Sequence, residues 1–366
     1  MARPRIAFLI STLADMGGAI KVATEVANAL VEEYDVSFIQ LADKDAPAFA
    51  VDPRIACLSL GIDAERIVDK AKALLGPLRR VIREQGIQVL LGVSADEVSA
   101  ALLPCKLTRT PLVFCDHESL MSQIDLKKTM LVKRTLARQC ARTVVLTEAS
   151  RQAYIREFQI RPDKLLRIPN WIPDRLEERA SSWDPASKRV IWAGRLDVEK
   201  GVDHLFEVAR RVLPGRPGWA IDVYGRAVLG TSDFDLEAAA EEAGIGAQLV
   251  LKGQVHDLYE RYPSYGVGIL TSYRESLPLF LLEAKACGLP LVSFDVVTGP
   301  SEIISDGVNG YLIPPYDCDA FAAKLGALMD DDDLRQEFHE AAPQGLEQYS
   351  KAAIYPQWTA LIHALL

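Results

Sequence analysis

Residues 5–41 contain the stretch that decides the fold. They read RIAFLI at Arg5–Ile10, then a loop with Gly17 and Gly18, and finally DVSFIQL at Asp35–Leu41. The two apolar runs, rich in β-branched residues, predict strands. Between them, apolar residues spaced three and four apart predict an amphipathic helix that opens just after the glycines: Ile20, Ala23, Ala27 and Leu30. A strand, a helix and a second strand in this order indicate a parallel sheet covered by helices.

The same alternation continues in two series. The first series adds candidate strands at Ile55–Leu60, Gln88–Val93, Leu112–Cys115, Thr143–Leu146 and Leu165–Ile168. A polar segment at residues 177–188, with Pro185 and adjacent serines, then predicts a linker. The second series has candidate strands at Arg189–Ala193, Ala220–Tyr224, Gln248–Leu251, Val267–Thr271, Leu291–Phe294 and Gly310–Ile313.

These two series predict an α/β protein with two doubly wound, Rossmann-like domains. The expected boundaries are residues 1–170 and 171–349, with a C-terminal helix at about 350–366 that packs back onto the first domain. Ligands of open α/β sheets bind at the carboxyl ends of the strands, so the interface between the two domains is expected to form a ligand cleft.

The composition is that of an ordinary globular chain. Of the 366 residues, 49% are hydrophobic and 25% are charged, which excludes a disordered or collagen-like protein. No apolar run approaches the roughly 18–20 residues of a membrane-spanning helix, and the first strand does not read as a signal peptide. The 6 cysteines form no Cys-x-x-Cys pair, so reduced thiols in a cytosolic protein are expected.

One charged motif follows the candidate strand Val267–Thr271 and reads YRESLPLFLLE at Tyr273–Glu283. Ser276 is a suitable helix cap and Pro278 fits a first helical turn, so Glu275 is expected before the helix and Glu283 within it. One carboxylate can accept sugar hydroxyls and the other ribose hydroxyls, while the free amides of the helix start can bind phosphate. By spacing alone, two solvated acids are the simpler interpretation.

A second motif follows the first strand of the second series and reads AGRLDVEKG at Ala193–Gly201. Gly194 allows a sharp turn at the strand end. Arg195 and Lys200 place two cations where the cleft is expected to open, as a diphosphate leaving group requires. The alternative is that Arg195 pairs with Asp197 and that Lys200 is only a solvated residue at a helix start.

The two motifs resemble those of the retaining glycosyltransferases of family four, whose GT-B fold has two facing Rossmann-like domains. Glu275 and Glu283 match the acidic positions of the family's Glu-x7-Glu signature, and Arg195 and Lys200 match its Gly-Arg-Leu-x-x-x-Lys-Gly motif. The resemblance covers essentially the whole chain. It implies a metal-independent, cofactor-independent transferase that moves a sugar, with UDP-sugar the expected donor, to a glycan or lipid-linked glycan, as in bacterial surface polysaccharide and lipopolysaccharide assembly.

The resemblance also implies a role for individual residues. Arg195 and Lys200 would stabilise the leaving diphosphate, Glu275 would hold the donor sugar, and His117, at the end of a strand, would contact that sugar near its anomeric carbon. Because Pro278 has no amide proton, its neighbours are expected to supply the amide contacts. The implied donor-binding residues are Gly17, Gly18, Gly194, Val255, Leu279, Phe280 and Glu283.

The charge distribution is uneven. Residues 1–170 contain 24 Lys and Arg against 20 Asp and Glu, whereas the whole chain has a net charge of -9. Six basic residues crowd the region Lys127–Arg142, together with Met130, Leu131 and Leu136: Lys127, Lys128, Lys133, Arg134, Arg138 and Arg142. This region is either a solvated helix face or a surface for anionic membrane at the inner face of the cytoplasmic membrane. No nucleic acid partner is indicated.

Two other functions remain open at this point. A nicotinamide-dependent oxidoreductase would need a Gly-x-Gly-x-x-Gly loop, which neither glycine loop provides. A GT-B epimerase or nucleotide-sugar binder would use the same nucleotide contacts without an acceptor. Asp233-Phe234-Asp235 imitates a metal-binding motif, but helix capping explains it better, so no metal is expected.

Overall fold

The computed structural model of the chain describes residues 3–42, 46–62, 64, 66–173, 176, 183–227, 234–255 and 258–366. Two compact units are present. Unit 1 comprises Met1–Asn170 and Ala352–Leu366, and unit 2 comprises Trp171–Lys351. Each unit is built around one parallel sheet.

The sheet of unit 1 has seven strands in the order β3-β2-β1-β4-β5-β6-β7. All of its strand pairs are parallel, and the order reverses between β1 and β4. The strands are β1 (Arg5–Ile10), β2 (Asp35–Gln40), β3 (Ala56–Ser59), β4 (Val89–Gly92), β5 (Leu112–Asp116), β6 (Arg142–Val145) and β7 (Leu165–Arg167).

The described helices of unit 1 connect these strands. They are α1 (Gly18–Leu30), α2 (Ile67–Gln85), α3 (Ala95–Thr108), α4 (Lys127–Gln139) and α5 (Glu148–Phe158). Helix α1 begins at Gly18, directly after the extended residue Gly17, and buries the predicted stripe of Ile20, Ala23, Ala27 and Leu30. The C-terminal residues belong to this unit: Tyr355 donates a hydrogen bond of 2.7 Å to Glu33.

The sheet of unit 2 has six strands in the order β10-β9-β8-β11-β12-β13, again all parallel. Its strands are β8 (Arg189–Ala193), β9 (Ala220–Tyr224), β10 (Leu249–Gly253), β11 (Val267–Leu270), β12 (Leu291–Phe294) and β13 (Gly310–Ile313). Its described helices are α6 (Val202–Val212), α7 (Leu236–Glu242), α8 (Leu279–Ala286), α9 (Pro300–Ile303), α10 (Cys318–Asp330) and α11 (Asp332–Ala341). Helix α12 (Lys351–His363) follows at the end of the chain and belongs to unit 1 from Ala352 onward.

The prediction of two doubly wound parallel α/β sheets is therefore confirmed, and every predicted strand is present within a few residues. The strands read as continuous apolar runs because helices cover both faces of a parallel sheet. Of the segment predicted as a linker, residues 177–182 lie outside the described residues. The remainder packs on unit 2, where Trp183 is buried and its Nε1 donates to the carbonyl of Tyr265 at 2.9 Å.

The described part of the chain contains no helix with the length and apolar character that a membrane crossing requires.

Candidate functional site

The loop that follows β8 carries the first predicted motif. The amide of Gly194 donates to the carbonyl of Tyr224 at 3.0 Å, which joins this loop to the end of β9. Arg195 is half exposed, with Nε 3.1 Å from Asp197 and Nη2 3.2 Å from Glu199. The pairing with Asp197 that the sequence left open is thus present. Because Asp197 is buried, it holds the guanidinium at a defined place in the loop.

Lys200 and Glu275, predicted from separate motifs, form an ion pair. Lys200 Nζ lies 2.7 Å from Glu275 Oε1, and the Glu275 side chain is buried. The pairing is possible because the loop that ends at Gly201 closely approaches the end of the strand before Glu275. A Cβ at Gly201 (φ 66°) would overlap the carbonyl oxygen of Thr271. The interpretation of Glu275 and Glu283 as solvated acids is wrong, because both side chains are buried.

The loop that follows β12 holds the Glu275 loop from its other side. Thr298 Oγ1 donates to the backbone carbonyl of Glu275 at 2.6 Å. A Cβ at Gly299 (φ 97°) would overlap the carbonyl oxygen of Ser276 and the ring of Pro278. Sequence reasoning missed this contribution. A Thr-Gly pair in the loop that begins after the buried strand β12 was the available signal.

The start of α8 differs from the prediction. The helix begins at Leu279 with Pro278 as its N-cap, so the expectation that Ser276 caps it is wrong. The reason is tertiary packing, since the contacts of Thr298 and Gly299 hold residues 275–276 in the preceding loop. The first hydrogen bond within the helix runs from the amide of Leu281 to the carbonyl of Pro278. The amides of Leu279 and Phe280 precede it and point to a phosphate-binding helix start.

Glu283 lies within α8 and is held by two buried tyrosines. Tyr262 donates its hydroxyl to Glu283 Oε2 at 2.9 Å, and Tyr259 donates to Oε1 at 3.3 Å. Burial, together with the charge of Glu283, raises the pKa of Tyr262 well above its usual value, so this phenol remains a donor at working pH. Sequence reasoning did not identify either tyrosine.

In unit 1, His117 follows the last residue of β5. It is half-buried, and burial lowers its pKa to about 4 against the opposing charges of Asp116 and Glu118. The imidazole is therefore neutral at neutral pH. A neutral imidazole can exchange a hydrogen bond with a sugar hydroxyl.

The residues on both sides of His117 are held by Lys133. Its Nζ lies 2.9 Å from Asp116 Oδ1 and 3.1 Å from Glu118 Oε2, and Tyr154 donates to Asp116 Oδ2 at 2.6 Å. Burial favours the neutral amine, but the two carboxylates raise the pKa of Lys133 above its ordinary value. Lys133 is fully buried. The expectation that it belongs to an exposed basic surface is wrong, because it serves as the counterion of Asp116.

The other predicted donor-binding residues occupy loops at strand ends. Gly17 and Gly18 lie at the start of α1 after β1, where the amide of Gly17 donates to Asp15 at 3.0 Å. Val255 follows the end of β10 and is half-buried. Their roles in donor binding stay predictions.

Two aspartates of unit 2 cap helices. Asp235 caps α7 by accepting from the amide of Ala238 at 3.0 Å, as predicted, and Asp331 caps α11 by accepting from the amide of Leu334. Asp233 lies outside the described residues. Over the described ranges, no three His, Cys, Asp or Glu side chains are grouped so that they could hold a metal ion.

Two family models match the chain, one for each unit. The family described as "Glycosyltransferase Family 4" matches residues 16–176, and "Glycosyl transferases group 1" matches residues 174–345.

Individual relatives agree with these matches. An amylovoran biosynthesis glycosyltransferase of Erwinia amylovora is 26% identical, with 98% of this chain and 99% of the relative covered. An exopolysaccharide phosphotransferase of Streptomyces coelicolor is 27% identical over 99% of this chain, which spans only 41% of that relative. Among solved structures, Anabaena HepE in complex with UDP-glucose has a TM-score of 0.80 at 17% identity, covering 98% of this chain and 99% of HepE.

Two doubly wound units, with cationic and acidic loops at the strand ends of the second, define the architecture of a GT-B glycosyltransferase. The chain belongs to glycosyltransferase family 4, the group 1 glycosyl transferases, which are retaining enzymes. The resemblance drawn from the motifs is confirmed, and the alternative of a nicotinamide-dependent oxidoreductase is wrong.

Proposed function

We propose that this enzyme transfers a hexose from a UDP-sugar to a glycan or lipid-linked glycan during the assembly of a bacterial surface polysaccharide. The observation that carries the proposal is the Lys200–Glu275 ion pair, in which Glu275 is buried and Lys200 half-buried, together with Arg195 in the same loop as Lys200. These loops lie at the carboxyl ends of the unit 2 strands. Similar proteins support the donor and the pathway class, since HepE was solved in complex with UDP-glucose and the Erwinia protein is an amylovoran biosynthesis glycosyltransferase.

The proposed reaction breaks the bond between the anomeric carbon and the diphosphate oxygen and forms a bond from that carbon to an acceptor hydroxyl oxygen. Negative charge grows on the departing diphosphate, and Arg195 and Lys200 stabilise it. The amides of Leu279 and Phe280 bind phosphate oxygens. The acceptor attacks on the leaving-group face, and its proton passes to a donor phosphate oxygen, which conserves charge without a metal ion.

The two acids of the motif divide the donor between them. Glu275 accepts hydrogen bonds from hydroxyls of the transferred sugar, and Glu283 accepts them from the ribose. His117 contacts the sugar near its anomeric carbon through a neutral imidazole. The retaining outcome follows from attack on the face that the diphosphate leaves.

Initial rates of single variants test the cationic residues. Arg195→Ala and Lys200→Ala are each expected to lower turnover on the order of 100-fold or more, because they remove preorganised stabilisation of developing charge. Arg210→Ala is the matched control, since Arg210 is an exposed arginine on α6 that pairs with Glu207 one helical turn away. Near-normal turnover in both site variants would contradict the proposal.

Nucleotide binding tests the donor. UDP is expected to raise the melting temperature more than GDP, ADP or NAD. Glu275→Gln should impair transfer while leaving UDP affinity largely intact, whereas Glu283→Gln should chiefly weaken UDP affinity. Equal loss of UDP affinity in the two variants would show that the assignment of sugar and ribose ends is wrong.

We also propose that a basic-apolar patch on unit 1 binds anionic membrane, where a lipid-linked acceptor would reside. The patch consists of the exposed residues Ile124, Leu126, Lys127, Lys128, Leu131 and Arg134. Leu131 is 64% exposed between basic neighbours, which is the pattern of an interfacial helix. Each basic residue near an anionic surface contributes about 1 kcal/mol within a Debye length of roughly 8–10 Å.

Vesicle flotation at low and high salt tests the patch. The triple variant Lys127→Ser, Lys128→Ser, Arg134→Ser is expected to lose salt-sensitive binding to anionic vesicles while it still transfers sugar to a soluble acceptor analogue. The charge-matched control replaces exposed basic residues of α2 by serine: Lys72, Arg80 and Arg83. Equal binding of the two triple variants, or no binding of the wild type at low salt, would remove the patch from the proposal.

A further inference from the structure

Two phenol hydroxyls converge on the carboxylate of Glu283, one on each oxygen. The contacts are 2.9 Å from Tyr262 to Oε2 and 3.3 Å from Tyr259 to Oε1. Tyr262 is 0% exposed, Tyr259 is 4% exposed and Glu283 is 5% exposed. Neutral donors thus hold a buried acid that has a role in the proposed function.

The tyrosines come from a different part of unit 2 than Glu283. They lie in two short 3-10 segments, Leu258–Glu260 and Tyr262–Ser264, between β10 and β11, whereas Glu283 is in the middle of α8. The ring of Tyr262 also packs 6.1 Å from that of Phe280 in the first turn of α8. The segment before β11 therefore sets both the side chain of Glu283 and the packing of the helix start.

The chemistry of these contacts suits an oriented acceptor. A carboxylate has roughly four acceptor sites, and a phenol on each oxygen restrains rotation of the group without neutralising its charge. A vicinal diol presents two hydroxyl donors at a fixed spacing, so a restrained carboxylate binds it with less loss of side-chain entropy than a free one.

We propose that Tyr262, assisted by Tyr259, is a positioning residue that sets the Glu283 carboxylate for the ribose diol and thereby makes the enzyme prefer ribonucleotide over deoxyribonucleotide donors. This inference rests on the proposed role of Glu283. It adds the segment Leu258–Ser264 to the donor site, although neither of its tyrosines need contact the donor.

Calorimetric titration tests the inference. UDP and 2',3'-dideoxy-UDP are each titrated into wild type, Tyr262→Phe, Tyr259→Phe and Glu283→Gln. Tyr262→Phe is expected to lower the affinity for UDP on the order of 10-fold and the affinity for dideoxy-UDP by no more than about 2-fold. The reason is that only the ribonucleotide uses the oriented carboxylate. Tyr259→Phe should show the same selectivity change with a smaller size, since its contact is longer. In turnover, Tyr262→Phe should raise the donor KM and leave kcat nearly unchanged.

The possible failures are distinguishable. If Tyr262→Phe weakens both nucleotides equally, or neither, the positioning role is wrong while the proposed function stands. If Glu283→Gln keeps the full preference for UDP over dideoxy-UDP, the ribose assignment itself is wrong. If Tyr262→Phe melts far below wild type, Tyr259→Phe replaces it in the test. The quantity to compare is then the ratio of the affinities for UDP and dideoxy-UDP, and a ratio equal to that of wild type overturns the inference.

Discussion

Replacement of Lys133 by methionine should destabilise unit 1 strongly. The Lys133 side chain is fully buried, with Nζ 2.9 Å from Asp116 and 3.1 Å from Glu118. Methionine fills nearly the same volume but has no charge and no hydrogen to donate. The variant would retain the carboxylate of Asp116 in the interior, with Tyr154 as a remaining side-chain donor.

The size of the effect follows from the burial. Removing one partner of a buried ion pair costs about 3–5 kcal/mol, because the other charge is left uncompensated. In a domain of about 150–250 residues, each kcal/mol lowers the melting temperature by about 2–4 °C. The expected fall in the melting temperature of unit 1 is therefore roughly 6 to 20 °C.

The effect should depend on pH. Lys133 holds the pKa of Glu118 below its usual value of 4.5, although burial opposes this. This contribution to stability is therefore present above about pH 4.5 and is lost as the pH falls further. The raised pKa of Lys133 extends its own contribution above pH 10.5. The deficit of Lys133→Met should consequently be full at pH 7 and smaller at pH 4.

Thermal unfolding followed by circular dichroism at pH 7 and pH 4 measures this deficit. Lys128→Met on the same helix is the control, because Lys128 is exposed and its replacement should change stability by no more than about 0.5 kcal/mol. Equal melting temperatures for Lys133→Met and Lys128→Met at pH 7 would refute the reasoning that Lys133 is the counterion of a buried carboxylate.

Three further outcomes are expected. Thr298→Val should lower turnover several-fold, since it removes the hydrogen bond that holds the Glu275 carbonyl. Gly299→Ala should lower both turnover and melting temperature, because its Cβ overlaps the Ser276 carbonyl. Normal initial rates in both variants would contradict these expectations. Burial lowers the pKa of Lys285 to about 8. The free energy of unfolding of wild type, measured in urea, should therefore increase relative to that of Lys285→Met as the pH rises from about 8 to 10.5. A difference that does not depend on pH would contradict this. Activity should persist in EDTA, because cationic side chains serve the leaving group, and a loss restored by manganese would disprove metal independence.

The sequence predicted the strands well because a parallel sheet buried on both faces needs continuous apolar runs. The run at Arg5–Ile10 and that at Leu291–Phe294 have these properties, and the observed bounds are identical. The start of α8 was predicted less well. Ser276 has the intrinsic preference of a cap, but the contact from Thr298, 23 residues away from Glu275 in sequence, overrides this preference.

Lys133 shows how a local pattern can be misread. As one of six basic residues in Lys127–Arg142, it suggested a surface role. Yet it lies three and four positions before Leu136 and Ala137, which are both buried, so its place on the helix belongs to the core face. Its counterion, Asp116, is 17 residues away on another element. No spacing rule connects the two residues, and only the fold brings them together.

The two acids of the Glu-x7-Glu motif receive different partners, and the difference suits the proposed division of the donor. Glu275 is paired with the ammonium of Lys200, so its charge is balanced close to where the diphosphate would depart. Tyr262 and Tyr259 bind Glu283 through neutral hydroxyls, which restrain the carboxylate without adding a charge of their own. A carboxylate without a cation beside the diphosphate would oppose the charge that develops in the transition state. At the ribose, the charge of a carboxylate strengthens the hydrogen bonds that two hydroxyls donate to it. The partners of the two acids thus place a cation beside Glu275, at the proposed reacting end of the donor, and hydroxyl donors beside Glu283, at the proposed ribose end. The eight-residue spacing of the two acids does not specify this difference.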